Sequence, residues 1–454
     1  MPGHVDLFEE HGEVAALWQE GGYRDRTVVC FDRHLDLKPL APGGEAALLG
    51  AAARGEDPAG LLRRLPVRGV PGAFGLDDFW SAAALAGGLT ELVWVPSWTS
   101  HEGWEQAAVD SVSLIATGGT PADPRMTDCC LTVRLCGVRL AVVPPDLLAR
   151  HLAAHVSGDV VADIDLDWLM DEHGRADHSV EELAGLVAAC GGELSAMTWS
   201  TRSGFLPQEF RRVGADVAGR LGLRARTSSF LPATPWPEDL LLAVHRGGPL
   251  PAEPAPGPRR GSGSGGPPEA LGVTVALRGL ALAAGDPDGA EEQYGRAAAG
   301  GYRSSWLAYK IGIAHYARGG HRTARDWLRE AIAVDGRDTL AMHARIMAVR
   351  ATARLDGPGA ALAELRALAA ELPLRAGVWR TLRLLSDRAG DPETTAAADR
   401  QLALLNRLTG PRHGPGAGAP AAGGEAAGGE AAVGKTAGRN AAVGEAAVGE
   451  ARPS

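Results

Sequence analysis

No run of apolar residues in this chain approaches the ~20 that a membrane-spanning helix requires, so insertion into a bilayer is not expected. The opening residues, Met1-Pro2-Gly3-His4-Val5-Asp6, lack the basic flank and apolar stretch of a signal peptide. Cysteine is scarce: the five thiols are Cys30, Cys129, Cys130, Cys136 and Cys190, an odd number without a Cys-x-x-Cys spacing. The adjacent Cys129 and Cys130 do not readily bridge one another, so reduced thiols in a cytoplasm are the expectation. Positive charge is also short, with 45 Lys and Arg against 55 Asp and Glu and a formal net charge of −10. A nucleic-acid partner, which calls for a basic footprint, is therefore not expected. Aromatic residues make up only 5%, yet seven of the eleven Trp precede residue 200, which weights the core or a cleft toward the first half.

What the chain has in quantity is apolar bulk, 45% of 454 residues, enough for two or three units. Heavy use of Ala, Gly and Arg fits a GC-rich bacterial genome. Residues 1–247 alternate strand-like and helix-like stretches, with strands expected at 27–31, 91–95, 131–135, 138–143, 159–164 and 194–200. The Ala/Leu-rich segments 78–87 and 180–190 suit crossover helices, and the alternation predicts an α/β layered domain on a mostly parallel sheet. Residues 248–270 read as a linker, stiff where Pro-rich and flexible where Gly/Ser-rich. From 271 to 410 the pattern turns helical and repetitive. Gly285, Ala290, Tyr294 and Ala297 recur 34 residues on as Gly319, Ala324, Leu328 and Ala331. A looser third copy holds Gly357, Ala361 and Leu365, and a weaker fourth spans 375–405. This is the tetratricopeptide period, and stacked units of this kind form an all-α solenoid. The tail 411–454, Gly/Ala-rich and without an aromatic residue, is expected to be disordered.

Two short acidic clusters carry the chemistry. Asp32-Arg33-His34-Leu35-Asp36 follows the apolar run Thr27–Phe31, and Asp163-Ile164-Asp165-Leu166-Asp167 follows Val160-Val161-Ala162. If the strands continue, residues two apart share a face, so Asp32, His34 and Asp36 converge, as do Asp163, Asp165 and Asp167. Carboxylates gathered where a strand leaves a core are costly unless a cation joins them, which makes a metal site the economical reading.

Ahead of the first of these strands lies Phe8-Glu9-Glu10-His11-Gly12-Glu13-Val14. An acidic-His pair, then Asp-x-His-x-Asp, then Asp-x-Asp resembles the arginase/deacetylase superfamily and, more narrowly, the peptide arginase family. The stretch with Trp80, Ala86-Gly87, Val93-Trp94, Pro96 and Trp98, the Asp163–Trp168 signature and the Thr198-to-Ser203 segment extend that resemblance over residues 1–215. It implies a three-layer arginase/deacetylase-like domain with a binuclear Mn²⁺ centre. One ion would sit among His11, Asp32, Asp36 and Asp163, the other among Asp32, His34, Asp163 and Asp165, with Asp32 and Asp163 bridging. Mixed carboxylate and imidazole donors suit Mn²⁺ independently of the resemblance. The implied reaction is hydrolysis of a guanidino C–N bond, converting arginine within a peptide to ornithine and urea. Deacetylase-type relatives hold a single Zn²⁺ on fewer ligands, and the larger donor set here favours two metals.

Other roles stay open on the sequence. Asp167 is a third-position ligand, an outer hydrogen-bond acceptor or a strand-end cap. Glu13 and Glu102 are candidates to face the guanidinium, and His101, on a loop after a strand, is a candidate acid/base. Arg33 and Gly12 depart from the family pattern, Arg33 being expected on the opposite strand face and Gly12 to be harmless. His151 and His155, spaced i,i+4, have no further metal ligands in sequence, so a core or surface role is expected. His173 and His178 read as solvated. Thr198 and Ser203 lack the partners for serine chemistry. The helical repeats offer a surface that captures a peptide or protein substrate, and tethering by the linker would raise its local concentration. The alternatives are another amidine or amide hydrolase, or an inactive arginase-like domain in a repeat-based adaptor.

Overall fold

The computed structural model describes residues 3–41, 43–63, 72–97, 103–115, 121–156, 158–170, 176–200, 206, 210–230, 268–336 and 339–409. Its strands are β1 (His4–Phe8), β2 (Arg26–Phe31), β3 (Leu89–Val95), β4 (Ala122–Met126), β5 (Leu131–Leu135), β6 (Val138–Val142), β7 (Val160–Asp165), β8 (Glu193–Thr198) and β9 (Arg224–Thr227). They form one nine-stranded sheet in the order β4-β5-β6-β3-β2-β7-β8-β1-β9. From β6 to β9 every pairing is parallel, and only the β4–β5–β6 edge is antiparallel.

Alternation along the central strands builds two cores, one on each face. Val28 and Cys30 of β2, Leu92 and Trp94 of β3 and Val161 of β7 enter one buried cluster. Val29, Phe31, Val93, Val95, Ala162 and Ile164 enter the other. The first face is covered by α1 (Val14–Glu20), α2 (Gly44–Arg54), α3 (Phe79–Leu85) and α4 (Trp104–Ile115). The second is covered by α5 (Leu148–His155), α6 (Val180–Ala189) and α7 (Val213–Arg220). Burial on both faces explains why these strands read as nearly continuous apolar runs. The three strands absent from the expected set have weak signals for physical reasons. β1 is interrupted by His4 and Asp6, β4 is an edge strand containing Pro124, and β9 is a charged, mostly exposed edge.

The second unit is all helical: α8 (Pro268–Leu282), α9 (Pro287–Ala299), α10 (Ser305–Ala317), α11 (His321–Val334), α12 (Thr339–Asp356), α13 (Pro358–Glu371), α14 (Ala376–Ala389) and α15 (Pro392–Thr409). Residues 268–270, placed in the linker by composition, are helical. The repeat positions are structural: Ala290, Ala297, Ala324, Leu328, Ala331, Ala361 and Leu365 are all essentially fully buried between helices. Gly319, Gly357 and Gly390 take positive φ of 79°, 91° and 70° at the turns, a conformation that favours glycine. The last repeat docks on the sheet domain. Leu374 and Leu405 are buried in the same cluster as Val109 and Val112 of α4 and Leu131 of β5. The second unit is thus packed against the first as well as linked to it. The expected linker at 248–267 and the expected tail at 411–454 lie outside the described residues.

Candidate metal centre

Parallel strands β2 and β7 are neighbours, but the chain leaves β2 toward β3 and leaves β7 toward β8, on opposite sides. Their C-terminal ends therefore open a crevice where the sheet's connections diverge, the usual place for a ligand in such folds. Asp32 is the first residue past β2, and Asp165 is the last residue of β7. Two indoles fix this rim: Trp94 Nε1 donates to Asp32 O at 2.8 Å and Trp168 Nε1 to Val95 O at 3.0 Å. The third contributor comes from the turn after β1. A single 3₁₀ turn, His11–Glu13, carries His11 with its ring 4.5 Å from that of Phe79 and 6.1 Å from that of Trp80. Gly12 is not a neutral replacement. A Cβ there would lie 2.8–2.9 Å from the backbone of Gly75 and Leu76, so only glycine lets this turn sit so close.

His11 is fully buried, and its two ring nitrogens have different tasks. Nε2 meets Asp163 Oδ1 at 2.6 Å, and since a carboxylate accepts, Nε2 carries the proton. In the neutral ring, the form that binds a cation, Nδ1 is then a lone pair. It faces Asp32 Oδ2 at 3.1 Å, Asp36 Oδ2 at 3.2 Å and Asp165 Oδ2 at 3.4 Å. Next to this group a second one forms, with His34 Nδ1 2.8 Å from Asp167 Oδ2 and 4.0 Å from Asp32 Oδ1. Asp32 belongs to both groups, and in each the candidate ligand atoms lie within 4.8 Å of one another. His11 Nδ1, Asp32 Oδ2 and Asp167 Oδ2 are buried, and the close contacts just given, made among ionisable groups only, lack hydrogen-bond geometry at these atoms. Orphaned donors and acceptors that converge from three segments are costly unless a cation joins them. The donor set, carboxylates with two imidazoles, fits divalent Mn²⁺.

Asp163, expected as a bridging ligand, lies a strand repeat deeper than the rim: it bonds His11 Nε2, groups with His11 and Cys30 rather than with Asp32, and accepts from Ser195 Oγ at its Oδ2 at 3.1 Å. Asp165 and Asp167, both expected candidates, are the residues that group with Asp32. The simple alternation argument fails because neither strand continues. β2 stops at Phe31, so Asp32, His34 and Asp36 lie on a loop. β7 stops at Asp165, whose Oδ1 accepts from Asp167 N at 3.2 Å and opens the 3₁₀ turn Leu166–Leu169. Ser200 had no signal in the sequence. It adopts a positive φ of 49° just past β8, which brings its hydroxyl 2.5 Å from Asp165 Oδ2. Arg33 contributes through its backbone, its N–H donating to Asp167 Oδ1 at 3.4 Å.

Burial is the main force on the carboxyl groups. It pushes Asp32 and Asp165 well above the ordinary carboxylate range, reinforced by the neighbouring charges of Asp36 and Asp167 respectively. Burial also raises Asp36, although His11 pulls the other way. For Asp167 burial is outweighed by His34 and then by Arg33, and its carboxyl is lowered. Burial opposes charge on His11, yet Asp163, Asp32 and Asp36 together hold its pKa well above the usual histidine value. A metal-free centre therefore retains protons that a cation would displace.

The expected catalytic groups fare differently. Glu13 is committed to structure: its Oε1 accepts from Glu10 N at 3.1 Å, and its Oε2 from Ser229 Oγ at 2.9 Å and Phe230 N at 2.6 Å. It anchors residues 229–230 to the His11 turn, a structural role in place of the expected guanidinium contact. His101, Glu102, His173 and Ser203 lie outside the described residues. Thr198 Oγ1 donates to Ile164 O at 3.4 Å, a sheet contact. His178 is partly buried rather than solvated, stacked on Trp168 at 4.2 Å with Glu182 at 3.1 Å.

No family model matches the chain, and no curated protein matches it. Among the described residues no helix is long and apolar enough to cross a membrane.

Proposed function

We propose that this protein is a Mn²⁺-dependent hydrolase of a guanidino C–N bond, acting on arginine in a peptide and releasing urea. The observation that carries the reading is the pair of donor groups joined by Asp32, with three buried polar atoms left without a hydrogen bond at their meeting point. His11, Asp32, Asp36 and Asp165 would hold one ion, and Asp32, His34 and Asp167 the other. Two divalent cations so placed supply a water activated for attack at neutral pH.

The chain's own residues set up that chemistry. Asp163 keeps the proton on His11 Nε2 and so keeps Nδ1 available as a donor. Ser200 and the backbone N–H of Asp167 orient the two oxygens of Asp165. The net reaction adds one water to the guanidinium carbon and breaks its bond to the side-chain nitrogen, which leaves protonated as the ornithine ammonium. Urea carries away the carbon and the other two nitrogens. The motif pattern, more than the geometry, supports guanidinium over another amidine or amide. The tetratricopeptide-like period of the second unit supports capture of a polypeptide.

The test is incubation of the full chain and Mn²⁺ with arginine, agmatine and arginine-containing peptides, measuring urea and a peptide mass reduced by CH₂N₂. Urea from the peptides supports the proposal. Full Mn²⁺ loading with no urea from any guanidino compound would refute it.

A further inference from the structure

A second cluster of metal-binding side chains lies on the other face of the sheet, away from the carboxylates. Thr127, Asp128, Cys129 and Cys130 form the turn between β4 and β5, closed by Thr127 N donating to Cys130 O at 2.8 Å. Over this turn lies α5, and His151 on it is fully buried. Cys129 Sγ, Cys130 Sγ and a His151 ring nitrogen lie within 4.8 Å of one another. Both cysteines are buried, at 1% and 0% exposure.

Hydrophobic packing alone does not account for this histidine. Neither Nδ1 nor Nε2 of His151 has a hydrogen-bond partner, although a neutral imidazole has one donor and one acceptor to satisfy. Burial and the neighbouring His155 push its pKa down to about 4, so the ring is neutral at physiological pH and offers a lone pair. Thr127 Oγ1 sits between the sulfurs, 3.5 Å from Cys129 Sγ and 3.2 Å from Cys130 Sγ, and accepts from the backbone N–H of both cysteines. Its own proton goes to Cys130 O at 3.2 Å and would turn to a sulfur once that sulfur is a thiolate.

We propose that Cys129, Cys130 and His151 form a binding site for one thiophilic filled-shell cation, Zn²⁺ or Cu⁺, separate from the carboxylate centre. Two sulfurs and an imidazole are the donor class that selects such ions over Mn²⁺. Metal–sulfur and metal–nitrogen bonds of about 2.3 and 2.0 Å place ligand atoms roughly 3.5–3.8 Å apart, so a short inward movement closes the site. Each thiol gives its proton to solvent as the ion binds, and Thr127 supports the resulting charge. Burial holds the Cys130 thiol protonated, at about 11, until the ion displaces that proton. The bound ion would staple the β4–β5 turn to α5, beside the Arg150–Asp128 ion pair that joins the same elements at the surface.

Cobalt substitution separates this site from the carboxylate centre, because only thiolate ligands give a sulfur-to-cobalt charge-transfer band. The reduced, chelator-stripped full chain is titrated with Co²⁺ while the near-ultraviolet spectrum is recorded. The expected result is a band that saturates at about one equivalent and is abolished by adding Zn²⁺. Cys30→Ser should keep the band, which excludes the only other thiol found near a histidine and a carboxylate among the described residues. Cys130→Ser should lose it, and His151→Leu should weaken Co²⁺ binding roughly tenfold or more. No band in the wild-type chain, loss of the band in a folded Cys30→Ser variant, or its survival in Cys130→Ser would overturn the proposal. The wild-type spectrum decides the matter even if a variant fails to fold.

Discussion

His11 and Asp163 are joined by a 2.6 Å hydrogen bond from Nε2 to Oδ1, and this bond aims the opposite ring nitrogen at Asp32, Asp36 and Asp165. On the proposed reading Asp163 positions His11, whereas Asp165 would be a ligand. Asp163→Asn should weaken Mn²⁺ binding by about 10–100-fold yet allow turnover at saturating metal. Asp165→Asn should abolish turnover at any Mn²⁺ concentration. Activity measured as a function of Mn²⁺ distinguishes them, and identical behaviour of the two variants would contradict these roles.

Gly12 bears on the same histidine. Gly12→Ala drives a methyl group into the Gly75–Leu76 backbone, and overpacking of this kind costs about 1–3 kcal/mol. Thermal unfolding should show that loss, and Mn²⁺ titration should show weaker binding because the His11 turn has shifted. Unchanged stability would mean that the turn relaxes freely.

The metal-free protein should lose stability as pH rises. Asp32 and Asp165 have folded pKa values raised above the ordinary 3.8, and His11 is raised above 6.5. In each case the folded state binds extra protons, so the contribution is complete below the unfolded pKa and disappears as pH climbs through the folded one. Asp167, lowered from 3.8, acts oppositely, but its contribution is lost only on acidification through its folded pKa. Melting temperatures of chelator-treated protein should therefore fall as pH rises past the ordinary histidine value of 6.5, and the stabilisation given by Mn²⁺ should grow in the same direction. A Mn²⁺ effect independent of pH would argue against proton displacement.

Much of this was legible in the sequence. The central strands β2, β3 and β7 announce themselves because burial on both faces demands nearly unbroken apolar runs, whereas β5 and β6 alternate buried apolar residues with Thr132, Arg134 and Arg139. The acidic residues beyond β2 and β7 stand out because nothing apolar explains them there. What local pattern could not supply was where each strand stops. Alternation holds only within a strand, and the chain leaves β2 at Phe31 and β7 at Asp165. Hence Asp163 was expected to bridge beside Asp32, and the role of Asp167 stayed open. Ser200, Ser195 and the Cys129–Cys130–His151 group were invisible for a related reason: each depends on contacts between segments far apart in the chain.

The docking of the last repeat on the sheet domain makes its own prediction. Leu374 and Leu405 are 3% and 4% exposed within the cluster formed by α4 and β5. Replacing either with Ala should cost about 2–5 kcal/mol and expose the interface. Limited proteolysis within residues 231–267 should then release two separable fragments, whereas the wild-type fragments should stay associated. Dissociation of the cleaved wild-type protein would contradict a packed interface.

The central claim is that Asp32 joins two donor groups into one centre, and manganese stoichiometry tests it most directly. Chelator-stripped protein titrated with Mn²⁺ should bind about two ions per chain with release of protons. Asp32→Asn should lose both, since that residue is shared, while His34→Ala should lose only one. Binding of a single ion, or retention of both by Asp32→Asn, would contradict the account.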